Sequence, residues 1–502
     1  MRKTDDTTRR RVLTAIALIE GAVTLVLAIV LLHPRQHVMS WGEEISPRET
    51  YVYVDNQTLT PDDLEYLASI KTMHSMHLQE CDLSECPLRG LKFASKELSS
   101  LDLTGCTGLW DLSFLSDLSV DDLCLVDCTD VDDLSVINFD GLYSLDVSGT
   151  SVDDLSPLAG TELRNLAFAR TEVSDITPLT KMANLYSIDG SDTKVASIDA
   201  LAGIDWLSRV VFDGCPITGI TQPFASRYMS EVSLNRTQVS DLSGLSRCVC
   251  LRTLCVGGNP GLNDISWLDE ANYETLTKVN LAFTGFDARQ LGWLRSCENL
   301  RELTVDGIEL GNLDAFRKMG SLTYLSAVAC GITDVSGLQG CTSLETVLLG
   351  FNSITDARDI PVPDEEWPVM VLDLSYNQLN SLADVPATSY RGLLLQGNDL
   401  GSSERVPAAL EANDVVVSWY QGIEKSPLCS FDRFSRVYLV GCPTSQFGRV
   451  DAAFSSFQLD RLSEDELWYL LRADGLDYRL FVDFSWYADY AEAHVQSGAK
   501  GE

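Results

Sequence analysis

One periodicity governs what this chain can become. The pattern L-x-x-L-x-L-x-x-(T/C/N) returns with its second apolar position at Met76, Leu101, Leu123, Leu145, Leu166, Ile188, Val210, Val232, Leu254, Val279, Leu303, Leu325, Val347, Leu372 and Leu393. Fifteen returns at steps of 21 to 25 residues define an array of repeats, each too small to bury its own apolar face and stable only when stacked on its neighbours. The alternation within L-x-L predicts one short strand per repeat with one face buried. The return half carries its own signal, in VDDLSPL at 152–158, VSDITPL at 173–179, VSDLSGL at 239–245 and ITDVSGL at 332–338. Ser156 before Pro157, and Thr177 before Pro178, read as helix N-caps followed by proline at the first helical position. Each repeat is therefore a strand, a turn and a short helix or 3-10 segment.

The 502 residues would otherwise suggest about three domains, but an array has no such size limit. It does need caps, because its end repeats would expose core. Residues 50–71 supply a strand and then Thr60-Pro61-Asp62-Asp63, the start of an amphipathic helix, and are read as the N-terminal cap. The repeats occupy 72–400. Beyond them the period weakens; 415–419 and 436–442 are strand-like, and 463–475 is a helix capped by Ser463 and Gly475. The segment 401–502 is read as a C-terminal cap or small α/β domain.

The repeats resemble leucine-rich repeats, in particular the 22-residue kind of internalin-like bacterial surface proteins and related phosphatase-regulatory proteins. The resemblance covers roughly 72–400. It implies an α/β repeat solenoid, with parallel strands on a concave face and short helices or 3-10 turns outside, that works by binding protein or other ligands.

Residues 12–32 form a run of 21 with one charge, Glu20. As a helix it would span about 31 Å, the thickness of a bilayer's hydrocarbon core. Arg2, Lys3, Arg9, Arg10 and Arg11 precede it, while Arg35 is the single fixed positive charge just after it, so the basic flank (1–11) is expected in the cytoplasm and everything beyond the span outside. The expectation is a single-pass signal-anchor in the cell membrane, followed by a linker at 33–49. Glu20, costly in mid-bilayer, is read as a protonated or snorkelling side chain tolerated by an otherwise strong segment, ahead of the alternative of a helix–helix contact in the membrane.

Charge and histidine content exclude other classes. With 73 acidic against 37 basic residues the net charge is −36, which repels nucleic acid and anionic lipid. The five histidines are His33, His37, His74, His77 and His494, so most of the chain lacks an imidazole base or metal ligand. No phosphate-binding glycine loop is present. No catalytic, metal or cofactor site is expected. The cysteines follow the repeat: Cys81, Cys106, Cys128, Cys215 and Cys330 stand five residues after the reference position, where other repeats have Thr or Asn, and Cys248, Cys297 and Cys341 stand six before it. Small buried side chains are expected there rather than disulfides or metal ligands. Acidic pairs such as Asp132-Asp133 and Asp153-Asp154 are expected at the start of the outer turn, where carboxylates favour a helix N-terminus.

Strand residues flanking the buried ones should line the open face. In the first half these include Asp102, Asp122, Asp146, Asp189, Asp213 and Glu231, with Arg209 as the exception; later they become Tyr324, Val328, Leu348, Phe351, Val371, Tyr376 and Leu394. The expectation is a partner-binding apolar region with acidic steering from the first half. The partner would be a protein or other surface macromolecule. Two other readings stand beside it: a scaffold or regulatory subunit of a membrane complex, and a catalytic C-terminal unit targeted by the repeats.

Overall fold

The computed structural model describes residues 37–398, except 87, 269–273, 363–369, 375, 387–389 and 395–397, together with two-residue strands at 415–416 and 437–438. The expected basic tail and membrane span, and most of the expected C-terminal unit, lie outside the described residues. Among those described, no helix is long and apolar enough to cross a membrane. The chain divides into two compact units, residues up to 332 with 336–344, and residues 333–335 with 345 onward.

The first unit begins with an antiparallel pair, β1 (His37–Val38) and β2 (Glu44–Ile45), inside the segment read as a linker. It is fastened to helix α1 (Pro61–Ser69): the Tyr66 hydroxyl donates to the Ile45 carbonyl at 2.7 Å and the Ser40 N–H donates to Asp63 Oδ1 at 2.9 Å. Helix α1 starts as its sequence predicts, with Thr60 and Asp63 forming a reciprocal capping box and Pro61 in the first turn. Burial works against the Asp63 charge, but hydrogen bonds from Ser40 and Thr60 prevail and hold its carboxyl below the usual range.

Between β2 and α1, strand β3 (Tyr51–Asp55) opens a parallel ladder, pairing with β4 (Ser75–Gln79) so that Val52 meets Met76. The cap thus adds a rung ahead of the first counted repeat. The ladder continues through β5 (Glu97–Asp102), β6 (Ser119–Cys124), β7 (Ser144–Asp146), β8 (Asn165–Ala167) and β9 (Ser187–Asp189). It proceeds through β10 (Arg209–Val211), β11 (Glu231–Ser233), β12 (Thr253–Cys255), β13 (Lys278–Asn280), β14 (Glu302–Thr304) and β15 (Tyr324–Ser326). At every step from Met76 to Leu325 each reference residue pairs with the next. Register follows the apolar spacing because a slip of one residue would turn a buried side chain outward on every rung. The second unit repeats the scheme in β16 (Thr346–Leu348), β17 (Met370–Asp373) and β18 (Tyr390–Leu394), with Val347, Leu372 and Leu393 in register. Further on, 415–416 and 437–438, within the segments read as strand-like, pair in parallel.

The core is a set of columns, one residue per rung. From Met76 to Leu372 the reference residues and the apolar residues two later are buried, as are outer-turn leucines such as Leu158, Leu179 and Leu201. One rung breaks the column: at Gly190, between Phe168 and Phe212, an added Cβ would lie 2.5 Å from one ring and 2.7 Å from the other. The two phenylalanines meet edge to face across it, centroids 6.0 Å apart.

The outer turns are 3-10, and their capping differs from expectation. Ser156 and Thr177 are the first residues inside their turns, and the residues before them, Leu155 and Ile176, offer no side-chain cap. The aspartate two residues before the turn does that work: Asp154 Oδ1 accepts the Ser156 N–H at 2.7 Å and Asp175 Oδ1 the Thr177 N–H at 2.8 Å. Asp133 does the same for Ser135 at 2.8 Å. The Asx geometry reaches a backbone donor two residues on, and Ser197 Oγ does the same for the Asp199 N–H at 3.2 Å.

Candidate functional site

The buried turn slot holds the array together and is spent on doing so. Thiols in it reach back to the previous rung: Cys106 Sγ donates to the Leu78 carbonyl at 3.0 Å and Cys128 Sγ to the Leu103 carbonyl at 2.9 Å. Threonines bond within their own rung, as Thr150 Oγ1 does to the Val147 carbonyl at 2.6 Å. Asn259 does both, donating at 2.8 Å to Leu234 and to Val256 while its oxygen accepts from Thr237 and from the Val239 N–H. The twelve described cysteines are free thiols, and Cys250 is the exposed one. Burial pushes Cys128 up to about 12, and Cys248 and Cys297 likewise, so none of these three is a thiolate nucleophile near neutrality. Among the described residues no cluster of three or more His, Cys, Asp or Glu is placed to hold a metal.

The open face of the first unit's ladder is where accessible chemistry collects. Strand residues on either side of the reference position are mostly half-buried, with Asp122 exposed and Val211, Ser233, Cys255 and Ser326 buried, and six of them up to β15 are carboxylates: Asp102, Asp122, Asp146, Asp189, Glu231 and Glu302. Most are anchored rather than free. Asp146 Oδ1 accepts the Ser148 N–H at 2.9 Å, and Asp189 Oδ1 accepts the N–H and hydroxyl of Ser191 at 3.1 and 2.7 Å. Asp213 accepts from Ser233, and from the backbone and side chain of Asn235 on the next rung. Asp102 takes the N–H and hydroxyl of Thr104 on one oxygen and Gln79 Nε2 on the other. Burial opposes the Asp102 charge, but these bonds hold its carboxyl below the usual range. Asp122 goes the other way, raised by burial and then by its neighbour Asp121. Asp102, Asp146 and Asp189 thus fix the turn leaving their own strand, and Asp213 the turn of the next rung.

The expected apolar positions fall in both units. In the first, Tyr324 is half-buried, but Val328 is only 4% exposed. Its N–H donates to Asp306 and its carbonyl accepts from Gly307, which hold it against the preceding rung; it belongs to the core and is removed from the face. In the second unit Leu348, Phe351 and Tyr376 are half-buried, whereas Val371 is 8% exposed and is likewise removed. Rungs about 4.8 Å apart cover most of a β-branched side chain even on the open side. Phe351 and Tyr376 stack with centroids 4.2 Å apart. Both hold left-handed backbone, φ 55° and 51°, unusual for bulky residues. The backbone of Leu394 lies in β18.

That left-handed turn is a column the sequence reading missed. Four residues past the reference, Glu80, Asp127, Arg170, Asp192, Arg236 and Phe283 adopt positive φ, as do Gly105, Gly149, Gly214 and Gly258 at the same position. The glycines leave room for their neighbours: Asp127 crosses Gly149 to reach Arg170 at 2.9 Å, and Asp192 crosses Gly214 toward Arg236 at 3.7 Å. Reading the column rather than the chain would have found this order of charge, glycine and countercharge.

A second missed grouping joins adjacent strands. Ser100 Oγ lies 3.5 Å from His77 Nε2, and Asp102 Oδ2 lies 3.5 Å from His77 Nδ1, the order of a Ser-His-Asp triad. The geometry does not make a nucleophile. Gln79 holds the same Asp102 oxygen more closely, at 2.7 Å, and the N–H groups of Ser99 and Ser100 both go to the His74 carbonyl rather than toward an oxyanion. A small pocket of about 140 Å³ beside Phe93 and Phe114, with Lys92 and Lys96 on its wall, is below the size of ordinary ligand cavities.

No protein-family model matches the chain, and no curated protein does. Solved structures do. An internalin (inlF) of Listeria monocytogenes is similar at 17% identity over 76% of this chain and 92% of that one, TM-score 0.39. A leucine-rich-repeat protein of Leptospira interrogans is similar at 13% identity over 71% and 92%, TM-score 0.46. The Arabidopsis receptor kinase HAESA, solved with a peptide hormone and a co-receptor, is similar at 14% identity over 78% and 70%, TM-score 0.47.

Proposed function

We propose that this chain is a membrane-anchored leucine-rich-repeat protein, displayed outside the cell membrane, that works by binding another protein or surface macromolecule along the open face of its strand ladder, with no catalytic step. The observation that carries the reading is the use made of that face. Asp102, Asp146 and Asp189 present half-exposed carboxylates already fixed by their own turns, and Asp213 one fixed by the next rung, so little conformational freedom remains to be lost there on binding. The anchoring part rests on the apolar run at 12–32 and its basic flank.

The test uses residues 40–502 as bait against native surface or envelope extracts, with the Asp146→Asn, Asp189→Asn double variant alongside. A partner captured by the parent and weakened by the variant supports the reading. Capture unaffected by face variants would move the site elsewhere. For the anchor, a reporter fused after Glu502 should be active only on the outer side of the membrane; cytoplasmic activity overturns that part.

A further inference from the structure

The open face is bordered, at the end where its strands begin, by aromatic side chains that the packing does not use. Tyr143, Arg164 and Tyr186 stand two residues before the reference position on three consecutive rungs. Backbone bonds join them directly: the Arg164 N–H donates to the Tyr143 carbonyl at 2.9 Å and the Tyr186 N–H to the Arg164 carbonyl at 2.8 Å. On the next two rungs the aromatic position is two residues earlier, at Trp206 and Tyr228, whose rings stack 4.8 Å apart and 6° from parallel. Tyr143, Tyr186, Trp206 and Tyr228 are 46, 50, 54 and 46% exposed. One exposed ring needs no explanation. Five consecutive rungs carrying four rings and a guanidinium form a ridge about 20 Å long at 4.8 Å per rung.

The protein's own cations show what such a surface holds. The Arg164 guanidinium lies over the Tyr143 ring, 5.4 Å from its centroid, within cation–π reach. Arg209 sits between Asp189 at 3.5 Å and Glu231 at 3.2 Å. On the rungs that bear the ridge, the adjoining face carries Asp146, Asp189, Asp213 and Glu231 against Arg209. Ring faces beside a row of carboxylates are complementary to side chains that are cationic at the tip and apolar along the stem. A neutral sugar would stack on the rings and hydrogen-bond to the carboxylates but would draw nothing from their charge, whereas a cationic side chain draws on both, and a second copy of a chain at −36 would be repelled.

We propose that this ridge docks a cationic, extended polypeptide segment, whose arginine or lysine side chains lie on Tyr186 and the Trp206–Tyr228 stack and reach the carboxylates beside them. The inference deepens the recognition reading above, naming the partner's chemistry and one edge of its footprint.

The test titrates the intact chain with an octa-arginine peptide, with a glycine-serine peptide and a neutral oligosaccharide as controls. The Trp206→Ala, Tyr228→Ala double variant should bind octa-arginine about tenfold more weakly. Tyr186→Ser, which installs the residue found at the same position in Ser208 and Ser230 and so keeps the fold, should bind about threefold more weakly. Raising salt should weaken binding in parent and ridge variants alike, because the carboxylates remain. Equal affinity in parent and Tyr186→Ser, or oligosaccharide binding in place of the peptide, overturns the proposal. If ridge variants bind octa-arginine normally while envelope capture still depends on the face, the inference falls and the recognition reading stands. If the peptide binds the ridge and no partner is ever captured, the recognition reading falls instead.

Discussion

Gly190 shows how a single residue can obey the fold by departing from the repeat. Its column, two past the reference position, is filled elsewhere by Leu125, Val147, Leu234 and Val256, all buried, so the repeat pattern recommends a leucine. Phe168 and Phe212 already occupy the space such a side chain would need. Gly190→Leu should therefore lower stability by about 3 kcal/mol through overpacking, despite improving the consensus. Urea unfolding of the variant checks this, and a neutral or stabilising result would mean that the two rings move aside freely. The identity of such exceptions was not legible in the chain, because large residues 22 positions on either side decide them. The turn-slot residues were legible, since Cys, Thr and Asn share one need there: a small side chain able to hydrogen-bond within a buried turn.

At the scale of the element, sequence spacing located every strand of the ladder from Met76 to Leu325 and missed what fixes the turns around them. Strands are legible because their signal, an apolar reference residue in a short alternating L-x-L segment, is local and repeats. The side-chain environment on the open face is not, because it depends on the neighbouring rung. Val328 and Leu348 both read as outward positions, yet Val328 is buried and Leu348 half-exposed. Val328→Asp should accordingly unfold the protein or cost several kcal/mol, a charge having been placed in the core. Leu348→Asp should remain folded, with a thermal midpoint within a few degrees of the parent. Comparable melting of the two variants would refute this division. The outer turns give a further expectation. Asp154, Asp175 and Asp133 are held below the usual carboxylate range by hydrogen bonds from Ser156, Thr177 and Ser135. A depressed folded-state value stabilises above the unfolded value near 4 and is lost as pH falls through the folded one. Stability should thus hold from neutrality down to about pH 4 and fall below it, and Asp154→Ala should shrink the acid-side loss. Thermal unfolding across pH 7 to 3 reads both, and an acid loss unchanged in Asp154→Ala would place its origin elsewhere.

For the whole molecule, the net charge of −36 acts at a distance that no single contact reaches. Self-repulsion opposes the folded state, yet Asp102, Asp146 and Asp189 are placed on the strand face, where hydrogen bonds from their own turns offset part of that cost. Such an arrangement steers a cationic partner over roughly a Debye length, about 8 Å at physiological ionic strength, while close contacts set how long it stays. Asp146 and Asp189 allow the two roles to be separated. Asparagine keeps the acceptor oxygen that each turn requires; Asn280, at the same position of its own strand, accepts the Ala282 N–H at 3.0 Å in the same way. The double variant Asp146→Asn, Asp189→Asn should therefore unfold within about 0.5 kcal/mol of the parent. Its association with octa-arginine or a captured partner should be several-fold slower at low salt, and the rates of parent and variant should converge as salt is raised. Stopped-flow association at two ionic strengths decides it: an unchanged rate at low salt would confine these carboxylates to holding turns, and a large loss of stability would mean that the charge itself, rather than the acceptor oxygen, secures them.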